Sequence, residues 1–112
     1  MDSFSVKTQR CDGRVVLRLE GELDIATGGA LEQEADRTLG SDHEPIKSVI
    51  VDLDRLAFVD LAGLRAICRC AELARDRGAG FEIARAPAQA RRVFELCGLD
   101  ELLAGASSRR SA

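Results

Sequence analysis

The stretch of residues 49–63, VIVDLDRLAFVDLAG, constrains the fold of this chain more than any other. Its first residues are almost continuously apolar, which is typical of a strand buried on both faces. A helical pattern starts directly after Asp60, whose carboxylate can accept hydrogen bonds from the free N–H groups of a first helical turn. The stretch therefore predicts a central strand that leads at once into a helix, with Leu56, Phe58 and Val59 in the core.

The rest of the chain alternates between strand and helix patterns. Their order is β-β-α-β-α-β-α-α, with further strands at 4–10, 15–19 and 81–84, a hairpin turn at 11–14, a helix from Pro87 and a short amphipathic piece at 99–103. Leu31, Ala35 and Leu39 form the apolar side of the first helix, which we expect to begin with Asp24 as N-cap and to end at Gly40. Strands joined through helices pair in parallel, so we expect a small α/β domain with a mixed sheet of about four strands, covered by helices on at least one side.

Length and composition predict a single domain, because 112 residues with 46% hydrophobic content can bury a core without disulfides or metals. We expect this domain to span residues 1–104 and the small, polar tail 105–112 to be disordered. The net charge of −3 argues against nucleic acid as a partner. No apolar run reaches the length of a membrane span and the N-terminus lacks the apolar core of a signal peptide, so we expect a cytoplasmic location.

Enzymatic chemistry is not expected, because the side-chain combinations that it needs are missing. The sequence contains no G-x-S-x-G, P-loop or G-x-G-x-x-G motif, and its single histidine, His43, lies in a polar loop. Asp52 and Asp54 could contribute to a Mg²⁺ or acid–base site, but alternating aspartates at a strand end are more often turn formers and caps. We therefore expect no catalytic residue, no metal and no cofactor.

The four cysteines, Cys11, Cys68, Cys70 and Cys97, have neither zinc-site nor thioredoxin-type spacing. We expect free thiols that serve mainly as small core residues. The second helix pattern places Cys68 on its apolar stripe and Cys70 on a different side. Cys70, if exposed, is the candidate for a redox-sensitive site on this helix.

Asp24 and Asp60 are the most informative pair of polar residues. Each follows a predicted strand and precedes a predicted helix, so parallel neighbouring strands would place both at the same sheet edge. Ligands gather at this edge of open α/β sheets, and helix N-termini there favour an anion or an acidic group of a partner. The alternative is that both aspartates only cap their helices.

Three motifs resemble the signature of STAS domains, and in particular of bacterial anti-sigma factor antagonists. They are Gly21-Glu22-Leu23-Asp24, Val51-Asp52-Leu53 with Phe58-Val59-Asp60-Leu61-Ala62-Gly63-Leu64, and Arg92-Val93-Phe94 with Cys97-Gly98-Leu99. The resemblance covers roughly residues 4–104, and the order of elements matches. It implies a protein that binds an anti-sigma factor, often a serine kinase, and thereby releases a sigma factor to regulate transcription. The partner-binding residues that it implies are Asp24, Asp60, Leu61, Ala62, Gly63, Leu64 and Arg65.

One position departs from the family pattern in a way that matters for regulation. The family's Asp-Ser-Ser/Thr-Gly motif reads Asp60-Leu61-Ala62-Gly63 here, and residues 49–106 contain no hydroxyl side chain. Phosphorylation of the serine after the aspartate, which in the family breaks the complex, therefore cannot occur at Leu61. An exposed Leu61 would add an apolar anchor to the binding surface, and the alternative is that it packs into its own domain.

Three functions stay open at this point. The first is an anti-sigma factor antagonist without the usual phosphorylation switch, acting constitutively or under another control. The second is an accessory subunit of a transport or scaffold complex, since STAS modules also occur with membrane transporters. The third is a ligand or redox sensor whose small molecule binds at the edge that carries Asp24 and Asp60.

Overall fold

The secondary structure follows the predicted order of elements. The computed structural model describes residues 4–40 and 44–103, which form four strands and three helices. These are β1 (Phe4–Cys11), β2 (Arg14–Leu23), α1 (Gly28–Leu39), β3 (Ser48–Val59), α2 (Leu61–Asp76), β4 (Gly80–Ala84) and α3 (Ala88–Leu96). Residues 101–103 are helical, in the region where a last short helix is predicted. His43 and the predicted tail 105–112 lie outside the described residues.

A mixed sheet in the order β1-β2-β3-β4 forms the framework of the fold. β1 and β2 pair antiparallel, whereas β2 with β3 and β3 with β4 pair parallel. The turn between β1 and β2 places Asp12 at a φ of 52° and Gly13 at a φ of 83°, as a two-residue type I′ hairpin turn requires. The predicted α/β class, with an opening hairpin and a mixed sheet, is therefore confirmed.

The hydrophobic core lies between one face of the sheet and the helices. Side chains at alternate positions of β2, including Val15 and Leu17, are fully buried, whereas those of β1 are at most half-buried. The predicted apolar side of α1 is confirmed, because Leu31, Ala35 and Leu39 are buried as well. Each helix thus contributes one stripe to a single core and leaves its remaining surface to solvent.

The second face of the sheet is largely polar. Lys7 of β1 lies opposite Arg18 of β2, and Arg18 lies opposite Asp52 of β3. Lys7 and Arg18 are exposed, whereas Asp52 is the one charged residue that is buried among the described residues. We call the sheet face that carries these three residues the open face.

The apolar stripe of α2 is rotated relative to the prediction. Its buried positions include Gly63, Ile67, Cys70 and Ala74, and Cys68 is only half-buried. The expectation that Cys70 points away from the core is therefore wrong. The physical reason is that α2 packs against α1 as well as against the sheet, and Cys70 lies on the side that faces α1.

Phe58 and Asp24 also differ from their predicted roles. Phe58 is 41% exposed rather than in the core. Its neighbour Val59 pairs with Leu23 and points inward, so the side chain before it points to the opposite face. α1 begins with Thr27 at the N-cap, so Asp24 does not cap this helix, although the predicted end at Gly40 is confirmed.

The end of α3 is capped as the sequence predicts. Gly98 adopts a φ of 72°, and the N–H of Leu99 donates to the carbonyl of Phe94 at 2.8 Å. This is the Schellman arrangement, which a glycine in the left-handed region makes possible. At the other end, Pro87 occupies the N-cap, one position before the first helical residue for which it is predicted.

Candidate partner-binding site

The ends of β2 and β3 lie side by side and carry the candidate site. Leu23, the last residue of β2, pairs with Val59, the last residue of β3. The N–H of Asp60 donates to the Leu23 carbonyl at 3.3 Å. The two aspartates that follow these strands therefore lie at the same sheet edge, as predicted. Residues 24–27 and 58–65 together form one corner of the molecule, which we call the β2/β3 corner.

Asp60 caps α2, as the sequence predicts. Its backbone is extended, and its Oδ1 accepts a hydrogen bond from the N–H of Gly63 at 2.9 Å. Its carbonyl accepts a second hydrogen bond from the N–H of Leu64 at 2.8 Å. The first helical turn is thereby fixed, and with it the direction in which Leu61 leaves the strand.

Gly63 lets the two loops of the corner approach each other. A Cβ atom at residue 63 would lie 2.2 Å from the carbonyl oxygen of Leu23, which no real side chain tolerates. Gly28, at the start of α1, lies near the same turn, since a Cβ there would be 3.6 Å from the carbonyl oxygen of Ala62. Gly63 and Leu64 are buried, so they shape the corner and offer no side chain to a partner.

Asp24 closes the turn between β2 and α1. Its Oδ1 accepts hydrogen bonds from the N–H groups of Ala26 at 3.0 Å and Thr27 at 3.2 Å. The Thr27 hydroxyl donates to the carbonyl of Glu22 at 2.8 Å and accepts from the Asp24 N–H at 2.9 Å. This network holds Ile25 at the tip of the turn, where its side chain is 84% exposed.

Three large apolar side chains are exposed at the β2/β3 corner. Ile25 is 84% exposed, Leu61 56% and Phe58 41%. The alternative in which Leu61 packs into its own domain is therefore wrong. Arg65 is exposed one turn after Leu61, on the same side of α2, and Ala62 is half-buried between them. Large apolar side chains exposed on adjoining strand ends and turns are typical of a protein–protein interaction surface.

Ile25 and Phe58 are not among the site residues predicted from the sequence. Ile25 carries a signal in retrospect, because it is a large apolar residue within a turn of small and polar ones and lies outside the apolar stripe of α1. Phe58 carries none. The pairing of β2 with β3 shifts register between Gly21 and Glu22, and this shift changes which alternate residues face the core.

Gln89 of α3 holds the end of β3, and no sequence pattern predicts it. Its Oε1 accepts a hydrogen bond from the N–H of Val59 at 3.0 Å, and its Nε2 donates to the Val59 carbonyl at 2.9 Å. β4 ends at Ala84, which pairs with Asp52, so it does not extend along β3 as far as Val59. The Gln89 amide satisfies the backbone groups there in place of a strand.

Asp52 is engaged in ion pairs with two arginines. Arg85 contacts both of its oxygens, with distances of 2.7 Å from Nη2 to Oδ2 and 3.3 Å from Nε to Oδ1, and Arg18 lies 3.5 Å away. Burial opposes ionisation, but the hydrogen bonds from Arg85 and from the Asp54 N–H, with the two arginine charges, hold the pKa of Asp52 below its ordinary value. No group of three or more His, Cys, Asp or Glu side chains within residues 4–40 and 44–103 could hold a metal ion.

Cys70 does not provide a reactive thiolate near the corner. Burial raises the pKa of its thiol to about 12. Burial, with Glu72 and Cys97 as further causes, also raises the pKa of Cys68. Nucleophilic reactivity needs the thiolate and access to solvent, so the condition of exposure on which Cys70 is a redox candidate is not met. Cys11 and Cys97 are exposed free thiols.

Comparison with known protein families decides the identity of the fold. A family model described as Mlab, STAS domain matches residues 6–104. The chain belongs to the STAS domain family. The assignment predicted from three short sequence motifs is thus confirmed, and the β2/β3 corner of this STAS domain contains Asp24 from the first of those motifs and residues 58–64 from the second.

Relatives of this STAS domain include proteins named anti-sigma factor antagonists. BtrV of Bordetella bronchiseptica, which carries that name, is 27% identical over 103 residues, covering 92% of this chain and 86% of BtrV. The crystal structure of an anti-sigma factor antagonist from Mycobacterium paratuberculosis is 31% identical with a TM-score of 0.73, and the match covers 90% of this chain and 83% of that one.

A membrane transporter shares the STAS fold but less of the sequence. The murine solute carrier 26 family member A9 anion transporter matches with a TM-score of 0.70 and 22% identity, over 83% of this chain and 15% of the transporter. This likeness concerns the fold alone. In the part of the present chain that the structure describes, no helix has the length and apolar character needed to cross a bilayer.

Proposed function

We propose that this STAS protein is an anti-sigma factor antagonist that binds an anti-sigma factor through the β2/β3 corner. Binding removes the anti-sigma factor from its sigma factor and so regulates transcription in the cytoplasm, without catalysis by the antagonist itself. The observation that carries the proposal is the exposure of Ile25, Phe58 and Leu61 around the capped start of α2. The names of the relatives in Bordetella and Mycobacterium support the choice of partner.

The backbone of the corner is fixed before a partner arrives. Asp60 holds the first turn of α2, the carboxylate of Asp24 holds the turn before α1, and Gln89 holds the end of β3. A surface that is already ordered loses little conformational entropy on binding, so more of the contact energy appears as affinity. The geometry therefore favours a rigid docking surface over a segment that folds on binding.

Leu61 supplies an apolar contact at the position where the family has a hydroxyl. Burying a whole leucine side chain contributes about 1.5–3 kcal/mol. Since Leu61 is 56% exposed, its burial by a partner can contribute roughly half of that, or about 1 kcal/mol. Ile25 is more exposed and can contribute more, so the two residues together can raise affinity by a factor of about 100.

The proposed complex is not regulated by phosphorylation at Leu61. A serine-kinase-like anti-sigma factor finds no hydroxyl at residues 60–63. The one hydroxyl within the β2/β3 corner belongs to Thr27, which already contacts Glu22 and Asp24. We therefore propose that this antagonist stays bound when its partner holds ATP.

Calorimetric titration of the protein with its cognate anti-sigma factor tests the interface. Leu61→Asp should weaken binding about 100-fold, because a carboxylate would lose water against an apolar partner surface. Leu96→Asp is the matched control, since Leu96 is a leucine that is 79% exposed on α3 and lies outside the corner. Equal losses in both variants, or full affinity in Leu61→Asp, would place the interface elsewhere.

Incorporation of labelled phosphate tests the missing switch. With the anti-sigma kinase and ATP, the wild-type protein should gain no phosphate at the corner, whereas Leu61→Ser should become a substrate. If phosphorylation of Thr27 released the wild-type protein from its partner, the proposal of an antagonist without a phosphorylation switch would be wrong. The proposed interface would not be affected by that result.

The alternative function, an accessory role in a transport or scaffold complex, is supported by the similarity of this fold to the STAS domain of the anion transporter. Affinity capture with the wild-type protein as bait separates the two functions. Recovery of transporter subunits in place of an anti-sigma factor would favour the accessory role. If the Leu61→Asp variant no longer recovered those subunits, their binding would be assigned to the β2/β3 corner.

A further inference from the structure

The open face of the sheet contains a cavity of about 520 Å³ that lies outside the β2/β3 corner. Four basic side chains line it: Lys7, Arg18, Arg55 and Arg85. Its volume falls within the range of small-molecule sites. We propose that this cavity binds a small phosphate monoester that carries hydroxyl groups, such as a sugar phosphate. This site does not depend on the proposed function.

Two basic residues face each other across the strands that form the cavity. Lys7 of β1 pairs directly with Arg18 of β2. Like charges at opposed positions destabilise a sheet. Both side chains are exposed, so the pair adds no burial that would stabilise the core. Asp52 at 3.5 Å from Arg18 offsets part of this repulsion, and an anion bound beside Lys7 would offset the rest.

The two aspartates of the cavity do not leave it acidic. Asp52 contacts Arg85 at 2.7 Å and Arg18 at 3.5 Å, and Asp54 lies 3.7 Å from Arg85. The two carboxylates and two guanidinium groups therefore have a combined net charge of zero. The charge that a ligand meets comes from the remaining side chains.

Those remaining charged side chains are Lys7, Arg55 and Glu20. None of them forms an ion pair or a side-chain hydrogen bond with another described residue, although Glu20 and Arg55 occupy paired positions. Two cations suit a phosphate group, and a guanidinium can contact two of its oxygens at once. Glu20 repels phosphate but accepts a hydrogen bond from a hydroxyl, so the ligand that fits carries both groups.

The lining also limits the rest of the ligand. None of the described side chains around the cavity is aromatic, so there is no ring on which a nucleobase could stack. A compact polyol phosphate fits the volume of the cavity, its charge and its hydrogen-bonding groups, and it needs no aromatic ring for binding.

Arg85 has an unusual backbone conformation at the rim of the cavity. Its φ is +56°, in the left-handed region that residues other than glycine seldom adopt. The paired contacts with buried Asp52 hold it there. Backbone strain of this kind clusters at binding sites, where the surrounding structure maintains it for a function.

An NMR titration of the isotope-labelled protein with glycerol 3-phosphate tests the site. Saturable shifts are expected at the amides of residues 7, 18, 20, 55 and 85, and glycerol alone should cause none. The double variant Lys7→Gln/Arg55→Gln should bind at least about tenfold more weakly, because two charge-assisted contacts are lost. The matched control Arg91→Gln/Arg92→Gln removes the same charge from α3, outside the cavity, and should bind like the wild type.

Three results would overturn the proposal. The first is the absence of saturable shifts around the cavity. The second is an equal loss of binding in the two double variants, which would indicate attraction by net charge alone. The third is equal affinity for inorganic phosphate, which would exclude recognition of hydroxyl groups by Glu20. Circular dichroism of both variants shows whether each remains folded, so a loss of binding can be assigned to the site.

Discussion

The carbonyl oxygen of Leu23 lies where a side chain at position 63 would begin, 2.2 Å from a Cβ atom built on Gly63. The end of β2 and the first turn of α2 are therefore in direct backbone contact. No rotamer change can relieve a clash at this point, because the backbone fixes the position of a Cβ atom and the Leu23 oxygen belongs to the main chain. The shape of the β2/β3 corner thus depends on one missing methyl group.

Gly63→Ala should destabilise the protein by about 1–3 kcal/mol, because the two backbones must move apart. Urea denaturation measures the change in the free energy of unfolding. Gly29→Ala is the control, since nothing lies within 4 Å of a Cβ built at this helical position. It should be neutral or stabilising by up to about 1 kcal/mol. A Gly63→Ala protein as stable as the wild type would show that the contact with Leu23 is looser than its geometry indicates.

Gln89→Leu should cost about 1–3 kcal/mol, because the N–H and carbonyl of Val59 lose their partners. The Val59 amide should also exchange its hydrogen faster, which NMR detects at that single residue. Gln33→Leu on the exposed side of α1 is the matched control and should leave stability within about 0.5 kcal/mol. If hydrogen exchange at Val59 is unchanged, Gln89 does not hold the end of β3.

Asp52 should make the stability of the fold sensitive to acid. Its pKa is lowered on folding from an ordinary value of 3.8, so its charge stabilises the protein above that value and the contribution is lost as pH falls through the lower folded pKa. Asp52→Asn should therefore cost about 1–3 kcal/mol at neutral pH. The difference from the wild type should shrink in strong acid.

Denaturation at neutral and at acidic pH tests this dependence on Asp52. Asp54→Asn is the control, because Asp54 is 52% exposed and lies 3.7 Å from Arg85, a pair expected to contribute less than about 1 kcal/mol. A cost of Asp52→Asn that stays constant at all pH values would assign the effect to packing rather than to charge.

The thiols should react with an aromatic disulfide reagent in two classes. Cys11 and Cys97 are exposed and should react at once, whereas buried Cys70, with a pKa of about 12, should react after unfolding. Mass spectrometry of modified peptides identifies each residue. Modification of Cys70 in the native protein as fast as that of Cys11 would contradict its burial.

Features set by neighbouring residues in the sequence are predictable. Asp60 caps α2 because the carboxylate and the Gly63 N–H are three residues apart, and that spacing is visible in the chain. The Schellman end of α3 follows equally from Gly98 and Leu99. Short contacts of this kind depend little on the remainder of the fold, so patterns and capping rules recover them.

Features set by distant pairing are not predictable in this way. Asp24 follows a strand and precedes a helix, as Asp60 does, yet it lies three residues before the N-cap Thr27 and its carboxylate closes the turn between them. Cys70 is buried because it lies on the side of α2 that packs against α1. Gln89 reaches Val59 from thirty residues away, and no local pattern marks an amide that replaces a strand. Each of these depends on where a second element comes to lie.

The pairing of Leu23 with Val59 has a consequence for fragments of the chain. The proposed binding surface is complete only when this parallel pairing, which closes a long loop, has formed. A fragment that contains only one of these two strands should therefore lack the proposed binding surface, even if that strand's own turn forms.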